Sequence, residues 1–247
     1  MPDQPYCYAV TRAPSDIRRR AEQLWASILA SSLSSIYLAE LLQLSSTTVE
    51  AIDAALGHLT EPPPGEALIT VNHEVHRLLV QAVTASARVR ALCWDRGRGQ
   101  KESPLQYEVR RRRVAWLRTF LEGVDLAPLS DAQVRHSLEH FDEYVDQLGM
   151  EGSSGRLPLP ALVPIDMVLS ERHLLEQFSV GQGPPTTYWV RVYISGESRF
   201  INCGHEVDMA ALRATVAEIR DRMTATLGPG VGEDGSLMLV LTAQSFP

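Results

Sequence analysis

The run from Ser130 to Leu148 constrains the fold more than any other stretch of the chain. It opens with a capping box, in which the Ser130 hydroxyl can accept the backbone N–H of Gln133 while the Gln133 side chain reaches back to the N–H of Ser130. Val134, Leu138, Phe141, Val145 and Leu148 then recur at helical spacing and make one apolar stripe. Arg135, His136, Glu139, His140, Asp142, Glu143 and Asp146 crowd the remaining surface. The spacing predicts one continuous amphipathic helix whose stripe anchors against other helices.

The preceding residues supply those helices. Ser15 and Asp16 can cap a helix from about 16 to 44, with Leu24, Trp25, Ile28, Leu38, Leu41 and Leu42 among its apolar positions. Serines 31, 32, 34 and 35 weaken its middle, because their hydroxyls compete for the backbone, and a break is allowed there. Thr47-Thr48-Val49-Glu50 is a second capping box and predicts a short helix to about Leu59, stopped by Glu61-Pro62-Pro63-Pro64-Gly65. Residues 66–95 read as another long helix. Ser103-Pro104-Leu105-Gln106 is a third start, with Ser at N-cap, Pro at N1 and Gln at N3, and Gly123 closes that helix. Helices joined by short loops predict a mainly α fold, an antiparallel helical bundle over 15–148 behind an irregular arm at 1–14.

Past the bundle the texture changes. Residues 149–156, with Gly149, Gly152 and Gly155, read as a flexible linker. Residues 168–177 fit either a strand or a short helix. Thr187 to Ile194 is rich in β-branched and aromatic residues, Ser195-Gly196-Glu197-Ser198 is a turn, and Arg199 to Cys203 returns as a second strand. Asp208 caps a helix to about Leu227, with Gly228 past its end, and Leu237 to Leu241 is a candidate further strand. The expectation for 157–247 is therefore a small α+β tail, a β-hairpin with a helix, packed on the bundle and too small to stand alone.

A formal charge of −7 argues against a general nucleic-acid coat, so DNA is not expected as a partner, although a local basic patch is still open. No run approaches the ~20 apolar residues of a spanning helix, so no membrane is expected. Three distant cysteines without a CxxC, and the absence of a basic-then-apolar leader, predict free thiols in a cytoplasmic protein. No GxSxG or P-loop occurs, and Gly181-Gln182-Gly183 leads into Pro184-Pro185 and not a helix, which excludes a dinucleotide fingerprint. No cofactor is expected.

Arg135 followed after four residues by His140, with the polar His136 directly after the Arg, resembles the Arg-to-His signature of HEPN domains. The wider run Arg135-His136-Ser137-Leu138-Glu139-His140-Phe141-Asp142-Glu143 resembles bacterial proteins of HEPN-like type that end in a short β-containing tail. The resemblance implies a helical bundle over about 15–150, a homodimer, and in its active members metal-independent cleavage of RNA. It would make His140 the acid–base residue, Arg135 the phosphate clamp and His136 the polar support. Many HEPN-like domains are instead non-catalytic scaffolds.

Three functions follow. The preferred one is a dimeric interaction or ligand-binding module without catalysis. In one continuous helix Arg135 and His140 lie ~140° apart in azimuth, Arg135 is better placed to pair with Glu139, and the carboxylates of this face repel RNA. The second is a ribonuclease of toxin or defence type using Arg135, His140 and His136, with RNA as partner. The third is a metal-binding bundle, since His136, Glu139, His140 and Glu143 share one helix face and His73-Glu74-Val75-His76 offers a second cluster. Arg110 to Arg113 with Arg118 form the main basic patch, to be balanced by acids such as those of 139–146 or left solvated. Cys203-Gly204-His205 has too few ligand types for metal or nucleophile chemistry.

Overall fold

A computed structural model describes residues 14–31, 33–129, 133–155, 163–177 and 188–228. It is mainly helical with one small sheet. The helices are α1 (Ser15–Leu29), α2 (Leu33–Gly57), α3 (His73–Cys93), α4 (Pro104–Phe120), α5 (Gln133–Glu139), α6 (Phe141–Ser153), α7 (Leu174–Gln177) and α8 (Met209–Leu227). The strands are β1 (Ile69–Val71), β2 (Met167–Leu169), β3 (Arg191–Ile194), β4 (Arg199–Asn202) and β5 (His205–Asp208). Two compact units divide the chain: Met1–Gln43, Arg88–Val124 and Ile219–Pro247 in the first, Leu44–Ala87 and Asp125–Glu218 in the second. Among the described residues no single helix is long and apolar enough to cross a membrane.

The first unit is helical. α1 packs on α4 through an aromatic cluster, with the buried Trp25 ring 5.8 Å from Trp116 and 6.2 Å from Tyr37, and Trp116 edge-on to Phe120 at 5.0 Å. The Ser103 capping box forms as the residues predict, Gln106 N–H donating to Ser103 Oγ at 3.2 Å and Ser103 N–H to Gln106 Oε1 at 2.9 Å. The serine-rich stretch does break the first predicted helix. Ser31 Oγ donates to Ile28 O at 2.8 Å, Ser34 Oγ donates to Ser31 O, and α2 starts afresh at Leu33.

The Thr47–Glu50 start signal, by contrast, is passed over, because α2 continues through it to Gly57. Thr48 is buried, and its hydroxyl donates to Leu44 O one turn back at 2.8 Å instead of capping a new helix.

The second unit is built on a five-stranded sheet in the order β1-β2-β3-β4-β5, antiparallel except for the parallel β2–β3 pair. The tail hairpin is thus only its centre and one side. β1 comes from residues 69–71, expected to begin a helix, and α3 starts only at His73. Strand and short helix both occur in 168–177, as β2 and α7. Register puts Leu169, Val192, Ile194 and Ile201 on one face, where Leu174 of α7 joins them in a buried cluster. The other face carries Tyr193, Phe200 and Asn202, all buried, and meets α3 and α5. β4 and β5 are joined by Cys203-Gly204 with φ of 47° and 80°, a two-residue turn of the mirror-image type that matches strand twist. Asp208 caps α8 as expected, through Ala211 N–H donating to Oδ1 at 2.8 Å, and Gly228 follows with φ 75°.

The helix predicted across 131–148 is two helices. It breaks at His140, whose φ of −116° and ψ of 36° leave the helical region, and α6 then runs on to Ser153 through most of the expected linker 149–156. The Ser130 box and the Leu237–Leu241 candidate strand lie outside the described residues. Of the predicted stripe, Val134 is buried, Leu138, Phe141 and Leu148 are half-buried, and Val145 is 40% exposed. α6 has no buried residue at all. α5 is fastened to β4 by buried polar contacts: Asn202 Nδ2 donates to Ser137 Oγ at 2.8 Å, and the Ser137 hydroxyl is placed to donate to Val134 O at 2.8 Å or Asn202 O at 3.2 Å.

Candidate functional site

Arg135, His136 and His140 meet at the α5–α6 junction. The Arg135 guanidinium donates to Glu139 Oε1, with Nη2 at 2.6 Å and Nε at 2.8 Å. His140 Nδ1 is 2.9 Å from Glu143 Oε1, and the His136 ring stands edge-on to His140 at 4.4 Å. Each of the Arg135 and His140 side chains is partly exposed, and each is turned to the carboxylate of its own segment. The break at His140 removes the single-helix azimuth between them, so the ion pairs, and not the helix geometry, now occupy these groups. Among the described residues no three His, Cys, Asp or Glu side chains are gathered to hold a metal ion.

The arginine patch is balanced within the first unit by acids other than those of 139–146. Arg110 pairs with Glu102 at 2.9 Å and Asp95 at 3.4 Å, Arg111 with Glu108 at 3.2 Å, and Arg112 with Glu22 at 3.8 Å. Arg113 lies over the Tyr37 ring at 5.4 Å, and Arg118 over Trp94 at 5.1 Å while donating to Cys93 O.

A second polar cluster lies where β2 begins. Asp166, with φ of 58°, accepts from Arg191 Nη1 at 3.1 Å on Oδ1 and from His73 Nδ1 at 2.7 Å on Oδ2. A left-handed Asp is uncommon but tolerated. Here it lets the backbone carbonyl accept from Asn72 N–H at 2.9 Å while the carboxylate turns to β3 and α3. His76, fully buried, must donate from Nε2 to Met167 O at 2.9 Å, because a carbonyl only accepts. Its Nδ1 is then a bare lone pair, buried without a hydrogen bond and 4.0 Å from Asp166 Oδ1. Burial pushes the His76 imidazole pKa down to about 4, against the smaller opposing effects of the Met167 carbonyl and Asp166. The cluster ties α3, β2 and β3 together.

A concavity lies against α6. A cavity of about 510 Å³ has Tyr144, Leu148 and Glu151 of α6 on one side and Leu175, Trp189 and Ile201 among the residues opposite. Its lining is mostly apolar, with Gln147 and Glu151 as the polar side chains of α6; Gln147 Nε2 donates to Glu151 Oε1 at 2.9 Å. Trp189 is held by its indole N–H, which donates to Leu175 O at 3.3 Å. Cys203, in the β4–β5 turn, completes the rim, and burial pushes its thiol pKa up. Volume and lining match the ordinary dimensions of small-molecule sites. Comparison with protein-family models, with curated proteins and with solved structures returned no match.

Of the cavity's α6 residues, Val145 and Leu148 read in sequence as part of a core stripe and Glu151 falls in the expected linker 149–156; neither Tyr144 nor Gln147 is singled out. Trp189 lies in the expected strand Thr187–Ile194, where an aromatic residue reads as core or interface. The signal that could have found the wall is in 141–153 itself: an apolar stripe interrupted by Gly149 and Gly152 and with fewer large aliphatics than α2 or α3.

Proposed function

We propose that this protein is a ligand-binding module, and that its ligand occupies the cavity walled by α6. The observation that carries the reading is that α6, an amphipathic helix of thirteen residues, buries none of them and turns its apolar side to a cavity of about 510 Å³. A half-covered apolar stripe costs free energy when left to water and becomes useful when a ligand covers it. The resemblance of the 135–143 run to HEPN-like proteins agrees with this as a non-catalytic member, and homodimerisation belongs to the same proposal. The engagement of Arg135 by Glu139 and of His140 by Glu143 supports binding over ribonuclease chemistry, since a phosphate clamp would first have to give up its carboxylate.

The test uses the neutral fluorophore N-phenyl-1-naphthylamine. Its emission is expected to rise on binding the wild type, and Leu148→Trp, which fills the cavity from α6, is expected to abolish the rise with the melting temperature unchanged. Undiminished binding by a folded Leu148→Trp variant would sink the cavity reading. RNA degradation by wild type and His140→Ala, run side by side, is expected to be equal; a loss confined to the variant would restore the ribonuclease.

A further inference from the structure

Resting on the cavity reading above, we infer that the ligand is a small organic cation, an ammonium group carried on an apolar body. The lining sets the charge. Tyr144, Tyr188 and Trp189 place three aromatic rings around the cavity, and among the described residues that line it Glu151 is the one carboxylate and there is no Lys or Arg. Electron-rich ring faces attract an ammonium, and a nearby carboxylate adds direct Coulomb attraction. The Gln147 amide orders that carboxylate within the lining. The helix behind it reinforces the sign: α6 carries Asp142, Glu143, Asp146 and Glu151 and no basic residue.

The neighbouring basic groups do not reverse this. Arg191 follows the lining residue Val190 in the chain, but its guanidinium is engaged by Asp166 and lies over the Phe141 ring at 5.6 Å. His205 and His136 approach Tyr144 edge-on, at 5.6 Å and 6.4 Å between ring centres, without lining the cavity. An anionic ligand of the same size would face Glu151 with no cation among the described lining residues to offset it. A neutral ligand would use the apolar walls and leave the carboxylate idle.

The experiment compares three probes with one hydrocarbon tail: hexyltrimethylammonium, 1-hexanol and hexanoate, titrated calorimetrically into the full chain. The cation is expected to bind about tenfold more tightly than hexanol, with hexanoate weakest. Glu151→Gln is expected to lower affinity for the cation about tenfold and leave hexanol unchanged. Trp189→Leu is expected to weaken the cation more than hexanol; should that variant not fold, Glu151→Gln carries the same decision, since Glu151 is only half-buried on α6. Equal affinity for cation and hexanol, hexanoate binding best, or indifference of the cation to Glu151→Gln overturns the cationic ligand while the cavity reading stands. Failure of all three probes to bind overturns both.

Discussion

α3 and α6 are both amphipathic in sequence, and they end in opposite situations. Within the second unit α3 buries Val75, Leu79 and Ala82 completely, and even His76 with them. α6 buries nothing, and leaves Val145 40% and Met150 65% exposed. Periodicity decides which residues share a face; whether the face is covered depends on what the rest of the chain brings opposite. α3 meets the sheet, as the His76 ring 5.8 Å from Phe200 shows. α6 meets a cavity. The largest expected effect follows directly. Leu79→Ala should destabilise the protein by about 2–5 kcal/mol, because the site cannot collapse around the lost atoms, whereas Leu148→Ala should cost under about 1 kcal/mol. Urea unfolding of the two variants checks this, and equal costs would erase the distinction between the helices.

The buried face of α3 should also make stability depend on pH. The folded pKa of His76 is depressed to about 4 from an ordinary 6.5, so between these values the unfolded chain binds the extra proton. Stability is therefore fully present above about pH 6.5 and is lost as pH falls toward 4, by at most on the order of 3 kcal/mol from this group. Unfolding free energies of wild type and His76→Gln, measured from pH 7.5 to 4.5, should differ in slope, the variant being flatter. Parallel curves would mean that His76 titrates normally.

Next in size is the attachment of α5. Ser137→Ala should cost about 1–3 kcal/mol, because it leaves the buried Asn202 Nδ2 without its 2.8 Å acceptor. Thermal melts would show it, and a variant as stable as wild type would place the fastening of this segment elsewhere.

These elements also mark how far the sequence was legible. Local chemistry was: the Ser103 box, the Asp208 cap, the serine break before α2 and the turn between β3 and β4 all depend on residues within a few positions of one another. Non-local pairing was not. β1 needs Met167–Leu169 opposite it to become a strand, so Ile69–Val71 alone reads as the start of a helix. Asp166 gains its role only when β3 and α3 bring Arg191 and His73 to it, across 25 and 93 residues. The candidate site was legible in part. Tyr144 to Leu148 fell within the expected helix and Glu151 in the expected linker, but the cavity they wall needs Trp189, just before β3, and Ile201 of β4, whose placement no local signal states.

The smallest expected effect concerns the pair that the sequence makes most conspicuous. Arg135 and Glu139 are partly exposed, one turn apart on α5, and joined at 2.6 Å. Such pairs contribute about 0.2–1 kcal/mol, since water screens the charges and two long side chains must be ordered. Arg135→Gln should therefore shift stability by less than about 1 kcal/mol, and less again at 1 M salt, where the Debye length is about 3 Å. Ligand binding in the α6 cavity should be untouched, because Arg135 is not among its lining residues. A loss above 2 kcal/mol would show that the guanidinium supports packing as well as the ion pair. An unchanged stability with a lost RNA-dependent activity would show that the Glu139 contact is a resting position, exchanged for phosphate when RNA binds, and would move the functional centre from α6 back to the α5–α6 junction.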